Sequence, residues 1–164
     1  MYPPPAHRSA IPRVVGILAL VFACLGIASS IVWTFGPLHD INRWGASERL
    51  AGIITWMYAW LAMSVVLFGA HLAGGILAIV YKPAGLRVLT GYAVGALALV
   101  VIDLVMMHGF MPRVPDHDIH GSVTMARTAF DALAAPWPVV VLALVNSRRA
   151  KAACPAYGGP QQYM

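Results

Sequence analysis

This sequence predicts an all-α integral membrane protein with four transmembrane helices in an antiparallel up-down bundle, on three observations. Of its 164 residues, 60% are hydrophobic and only 10% charged, whereas soluble domains carry about 25% charged residues. Charges are missing from four long stretches: between Arg13 and Asp40, Arg49 and Lys82, Arg87 and Asp103, and Asp131 and Arg148. The polar segments between these stretches are short, so successive helices must reverse direction. Because about 20 apolar residues cross a hydrocarbon core roughly 30 Å thick, the gaps predict spans over about 14–35, 52–81, 88–107 and 124–145.

Residues 1–13, MYPPPAHRSAIPR, hold four prolines and two arginines and predict a disordered cytoplasmic tail. The first span then runs from Val14 to Phe35, with Trp33 and Phe35 at the interface and a break at Gly36-Pro37. A cleaved signal peptide is the rival reading of this segment. Against it, Phe22 sits where a lipoprotein cleavage box before Cys24 needs a small residue, and apolar sequence continues through Ile31, Val32 and Trp33. In the first loop Ser47 followed by Glu48 reads as an N-cap with an acid in the first helical turn. Helix two follows to about Tyr81, and Trp56, Tyr58 and Trp60 read as an interfacial aromatic belt.

Residues 82–87, KPAGLR, allow only a tight turn before helix three, Val88 to Met107. Gly91 and Gly95 stand there at the G-x-x-x-G spacing that lets a neighbouring helix approach. The fourth span is interrupted near its middle by Pro136-Trp137-Pro138, and residues 146–164 read as a second disordered tail. Seven of the eleven Lys and Arg residues lie in the N-tail, the 82–87 turn and the C-tail. The positive-inside bias then puts both termini in the cytoplasm, which makes the plasma (inner) membrane the expected location. Arg outnumbers Lys nine to two in an Ala-, Gly- and Val-rich chain, a composition associated with GC-rich bacterial genomes. The basic residues form no stripe, so the net charge of +5 orients helices and does not predict nucleic acid binding. Cys24 and Cys154 lie at different depths, too far apart for a disulfide.

Ionisable groups within spans are costly and therefore mark function or specific packing. Asp103 and Arg127 are expected at one level near the outer ends of helices three and four, with Asp131 four residues beyond Arg127 on the same face. One guanidinium could serve both carboxylates and lock the two helices; a proton or cation path through Asp103 is the functional alternative. Folding about residues 82–87 puts His71 opposite Leu97 and Asp103 opposite Val65, so these two groups are not expected to touch. Pro136 falls at the depth of His71. Prolines 136 and 138 leave the carbonyls of Ala132 and Ala134 without their helical donors. A neutral His71 is expected to hydrogen-bond this broken stretch. Haem is the alternative for His71, but bis-His ligation needs a second histidine at equal depth and the sequence has none.

The segment from Asp103 to His120, DLVMMHGFMPRVPDHDIH, concentrates the chain's remaining chemistry. Asp116, His117, Asp118 and His120, with His108 before them and His39-Asp40 in the other outer loop, offer N and O donors suited to zinc, copper or nickel. Their spacing fits no strong zinc motif, and a solvated or partner-contacting loop has the same composition. Phosphate-binding glycine loops, nucleophile–base pairs and paired catalytic carboxylates are all missing from the sequence. The expected role is non-enzymatic, an accessory or scaffold subunit with no assigned cofactor. Its expected partners are the lipid bilayer and a membrane protein or a second copy of itself. The alternative is metal, haem or ion handling through His71 or the outer His/Asp cluster.

Overall fold

The computed structural model describes residues 9–43, 51–110, 125, 128, 129 and 131–154. Among them the protein is all-helical: α1 (Ile11–Arg43), α2 (Ala51–Ile79), α3 (Pro83–Val105) continued by one π-helical turn (Met106–Phe110), α4 (Pro136–Val145) and α5 (Arg148–Ala153). Three stretches, Ile11–Gly36, Ala51–Ile79 and Pro83–Gly109, are long and apolar enough to cross a membrane, and the apolar helical stretch Asp131–Val145 is shorter. These helices are apolar on their outer faces as well as their inner ones: Val66 is 71% exposed and Leu133 82%. Large apolar side chains turned outward on α1 to α4 are suited to lipid contact and ill suited to water.

Helix boundaries differ from the sequence expectation in four places, each for a local reason. Helix α1 starts at Ile11, inside the expected disordered tail, because Pro12 falls in the first turn, where its missing N–H costs nothing. The Ser9 hydroxyl accepts the Ile11 amide there at 3.3 Å. The same helix passes through Gly36-Pro37 to Arg43 without ending. A proline removes one rung of the ladder and bends a helix, but residues beyond it can hold the helical path, and Leu38 is buried there.

The turn between α2 and α3 is confined to Val80–Lys82, shorter than the 82–87 segment expected. Tyr81 takes a left-handed φ of 57°, its amide bonds to the Ala78 carbonyl at 3.0 Å and that of Lys82 to Leu77 at 2.9 Å. This pair of bonds is a Schellman termination with tyrosine at the position usually held by glycine. Arg13 lies over the Tyr81 ring, 5.6 Å from its centroid. Pro83 then opens α3 at once. Finally, residues 148–153 of the expected disordered tail are helical, capped by Ser147, whose hydroxyl accepts the Ala150 amide at 3.2 Å. Ala150 and Cys154 pack into a cluster with Val15, Ala19, Val141 and Val145.

Inward faces repeat every three or four residues. On α1 they are Val15, Ala19, Ala23, Ser30, Thr34 and Leu38; on α2, Ile53, Met57, Trp60, Ser64, His71, Gly74 and Ala78. Glycines set how closely the backbones approach. A Cβ added to Gly16 would stand 2.6 Å from the Gly75 carbonyl oxygen, so α1 and α2 meet backbone to backbone. Gly74 receives Leu89 of α3 in the same way, and Gly95 receives Leu67. Gly91, the other half of the G-x-x-x-G spacing, faces open space among the described residues, so the pair does not act as one packing face.

Candidate functional site

The pairings Gly74 with Leu89 and Gly95 with Leu67 set the register of the α2–α3 hairpin. That register places Tyr92 beside His71, and the two rings stack with centroids 3.8 Å apart and planes 7° from parallel. Leu97, the expected neighbour, is displaced because the turn is three residues tighter than assumed. His71 is fully buried. It meets the proline-flanked stretch of α4 through Trp137, whose indole Nε1 donates to His71 Nε2 at 3.3 Å. The expected bond to the carbonyls of Ala132 and Ala134 is replaced by a side-chain bond in which histidine accepts. An imidazole that accepts at Nε2 carries its proton on Nδ1, and Nδ1 is buried with no hydrogen-bond partner among the described residues. The Nε2 lone pair is thus directed at an indole N–H, and one ring face is covered by Tyr92.

Asp103 is also buried, and its Oδ1 accepts the Trp56 indole at 2.7 Å. The hairpin register brings the carboxyl group to the Trp56 end of α2, beyond the level of Val65 that a pivot at residues 82–87 predicts. Trp56 and the buried Trp60 thus turn toward neighbouring helices, while Tyr58, between them, is exposed. Arg127 lies outside the described residues, as do Asp116, His117, Asp118 and His120, so the expected Arg127 lock and the metal cluster have no described geometry. Among the described residues no three His, Cys, Asp or Glu side chains gather as a metal site. His108, on the π-helical turn, lies 3.1 Å from the Thr128 hydroxyl and joins the end of α3 to the chain leading into α4.

Between these two tie points lies a cavity of about 340 Å³. Phe22, Trp60, Phe68, Tyr92 and Trp137 supply its aromatic wall, and Ser29, Ser64 and Asp131 its polar groups. Phe22 and Trp137 stack with centroids 4.2 Å apart, closing α1 against α4. Leu25 and Leu133, also in the lining, are exposed on the outside of the bundle, so the cavity opens sideways. Ser64 is 1% exposed, and its hydroxyl has no hydrogen-bond partner among the described residues. Asp131 and Pro138 fall in this lining, whereas His71 lies behind Tyr92 and Trp137 and does not.

Sequence reasoning missed the cavity because no motif announces it. Its one legible sign was Trp137: an indole held between two prolines at the level of a buried histidine has few places to put its N–H. No protein family, curated protein or solved structure matches this chain.

Proposed function

We propose that the protein is a four-span membrane bundle with both termini on the cytoplasmic side of the plasma (inner) membrane. In this reading it is a non-enzymatic accessory or scaffold subunit, acting through helix packing and through its loops and tails. One observation carries the reading: both His71 and Asp103, the buried ionisable groups nearest the bundle's centre and its outer end, are bound by indole donors from a neighbouring helix. A group held this way ties helices together, and is poorly placed to exchange protons or ligate a substrate. The shorter helix Asp131–Val145 is the fourth span in this arrangement, entered from the outer side. The arginines and lysine at 148, 149 and 151 follow it, where the positive-inside bias favours the cytoplasm.

The test is partner capture. Crosslinking in native membranes, followed by affinity purification and mass spectrometry, is expected to return one membrane protein, or a second copy of this chain, in near-stoichiometric amount. A solitary chain that carries a stoichiometric transition metal would overturn the reading. Reporter fusions at both termini test the orientation separately, and opposite sides for the two ends would refute four spans.

A further inference from the structure

The cavity at the centre of the bundle carries a more specific inference, which rests on the membrane placement above and not on the accessory role. Ser64 is thirteen residues from Ala51 and fifteen from Ile79, so its hydroxyl stands about 20 Å along the helix from either end at 1.5 Å per residue. A charged or zwitterionic headgroup is strongly disfavoured at that depth. The wall is built of aromatic rings, which favour a flat partner in stacked or edge-to-face contact. The cavity volume of about 340 Å³ lies at the small end of the roughly 300–1,000 Å³ typical of ligand sites. The opening between Leu25 and Leu133 faces the surroundings of the bundle, so a ligand would enter from the lipid phase.

We infer that this cavity binds a neutral, ring-bearing lipophile with one hydroxyl or carbonyl oxygen, the ring lying among Phe22, Tyr92 and Trp137 and the oxygen at Ser64. Two independent observations converge on it: a ring-lined cavity open to lipid, and a buried hydroxyl lining it with no partner among the described residues. The oxygen is assigned to Ser64 and not to Asp131, a residue with an interaction of its own within the protein. Every buried hydroxyl that loses water seeks a partner, and a ligand oxygen supplies one at a depth where water does not.

The experiment uses the full chain in phosphatidylcholine nanodiscs and reads tryptophan fluorescence, since Trp60 and Trp137 both line the cavity. The probes are 4-bromobenzyl alcohol and 4-bromotoluene, heavy-atom quenchers that differ by one oxygen. Saturable quenching is expected for both, with the alcohol binding more tightly. Ser64→Ala should weaken the alcohol about three- to tenfold, the worth of one hydrogen bond, and leave 4-bromotoluene unchanged. Ala96→Phe, which fills the cavity from α3, should abolish the saturable component for both probes. Quenching that rises linearly and identically in all three proteins would overturn the site, and an unchanged alcohol affinity in Ser64→Ala would overturn the assigned anchor. Should Ala96→Phe fail to fold, the Ser64→Ala comparison of the two probes decides alone. Failure of the chain to enter nanodiscs would refute the membrane placement itself, a result distinct from loss of probe binding in a chain that inserts.

Discussion

The α1–α2 seam and the α4 side of the bundle are held by opposite means. Along the seam side chains are removed: Gly16, Ala19 and Gly75 let two backbones touch. On the α4 side large rings fill the space, with Trp137 stacked on Phe22 and bonded to His71, and a cavity remains beside them. Lipid tails are as apolar as the side chains they compete with, so neither region is held by a hydrophobic drive of the kind that folds soluble cores. Close packing and interhelical hydrogen bonds must do it. The seam relies on the first and the α4 side on both, and the two should therefore fail under opposite substitutions, the seam under additions and the α4 side under deletions.

The largest effect is expected at the seam. Gly16→Val would drive its Cβ into the Gly75 carbonyl and the Ile79 side chain, at 2.6 and 2.7 Å. Backbone cannot step aside cheaply, and overpacking of this kind costs about 3 kcal/mol. Unfolding by SDS titration in mixed micelles, followed by circular dichroism, measures it. Gly91→Ala is the matched control: nothing stands within 4 Å of its Cβ, so the change should be neutral or stabilising by at most about 1 kcal/mol. Equal losses at both positions would mean that the seam is no tighter than any other helix face.

Deletion should act on the other side. Trp137→Ala removes the stack on Phe22 and the donor to His71 together, and a cost of about 2–3 kcal/mol is expected. That falls below the roughly 3–5 kcal/mol of soluble cores, because lipid can enter the vacated space and the transfer contribution is small. The same titration checks it. A loss under about 0.5 kcal/mol, within the range of ordinary surface substitutions, would show that the α4 side is held by something other than this ring.

These two regions were unequally legible in the sequence. The three long helices follow from charge-free stretches of sufficient length, a property of composition that needs no knowledge of contacts. Which residues face each other depends on turn length, and that is hard to read here: Tyr81 adopts the left-handed turn position that glycine usually marks, so no glycine signals a turn as early as 80–82. A shift of a few residues in the pivot exchanged Leu97 for Tyr92 opposite His71 and moved Asp103 from Val65 to Trp56. Residue type alone does not reveal that Trp56 donates to Asp103 or that Trp60 walls a cavity, since both depend on what the neighbouring helices present. The helix at 148–153 was hidden by its basic composition; its buried alanines carry too little hydrophobic signal to show a face.

Trp56→Phe comes next in size. Phenylalanine keeps most of the ring and removes the N–H that reaches Asp103 Oδ1 at 2.7 Å. Hydrogen bonds to charged groups are worth about 1.5–3 kcal/mol in water-soluble proteins, while interhelical bonds in membranes reach about 1.7 kcal/mol at most. A loss of about 1–2 kcal/mol is therefore expected in SDS titration. A variant as stable as the parent would show that the indole is dispensable for holding Asp103, leaving Trp137 as the one of these two indoles that ties helices together.

The smallest expected effect separates the two contributions on the α4 side. His71→Phe keeps a ring against Tyr92, and Trp137→Phe keeps a ring against Phe22, so the double-mutant cycle between them isolates the N–H···N bond from the stacking. At 3.3 Å the bond is longer than the preferred range, and interhelical bonds in membranes average about 0.6 kcal/mol; a coupling near that value is expected. Zero coupling, with each single variant still costing about 1 kcal/mol, would assign the α4 side to ring packing alone. It would then differ from the glycine seam only in the size of the groups that pack. A coupling well above about 1.7 kcal/mol would point the other way, since it would exceed what one such bond supplies in a membrane. His71 Nδ1 would then have to gain a partner when the indole is present, and the orphaned proton donor behind Tyr92 would become the group to follow.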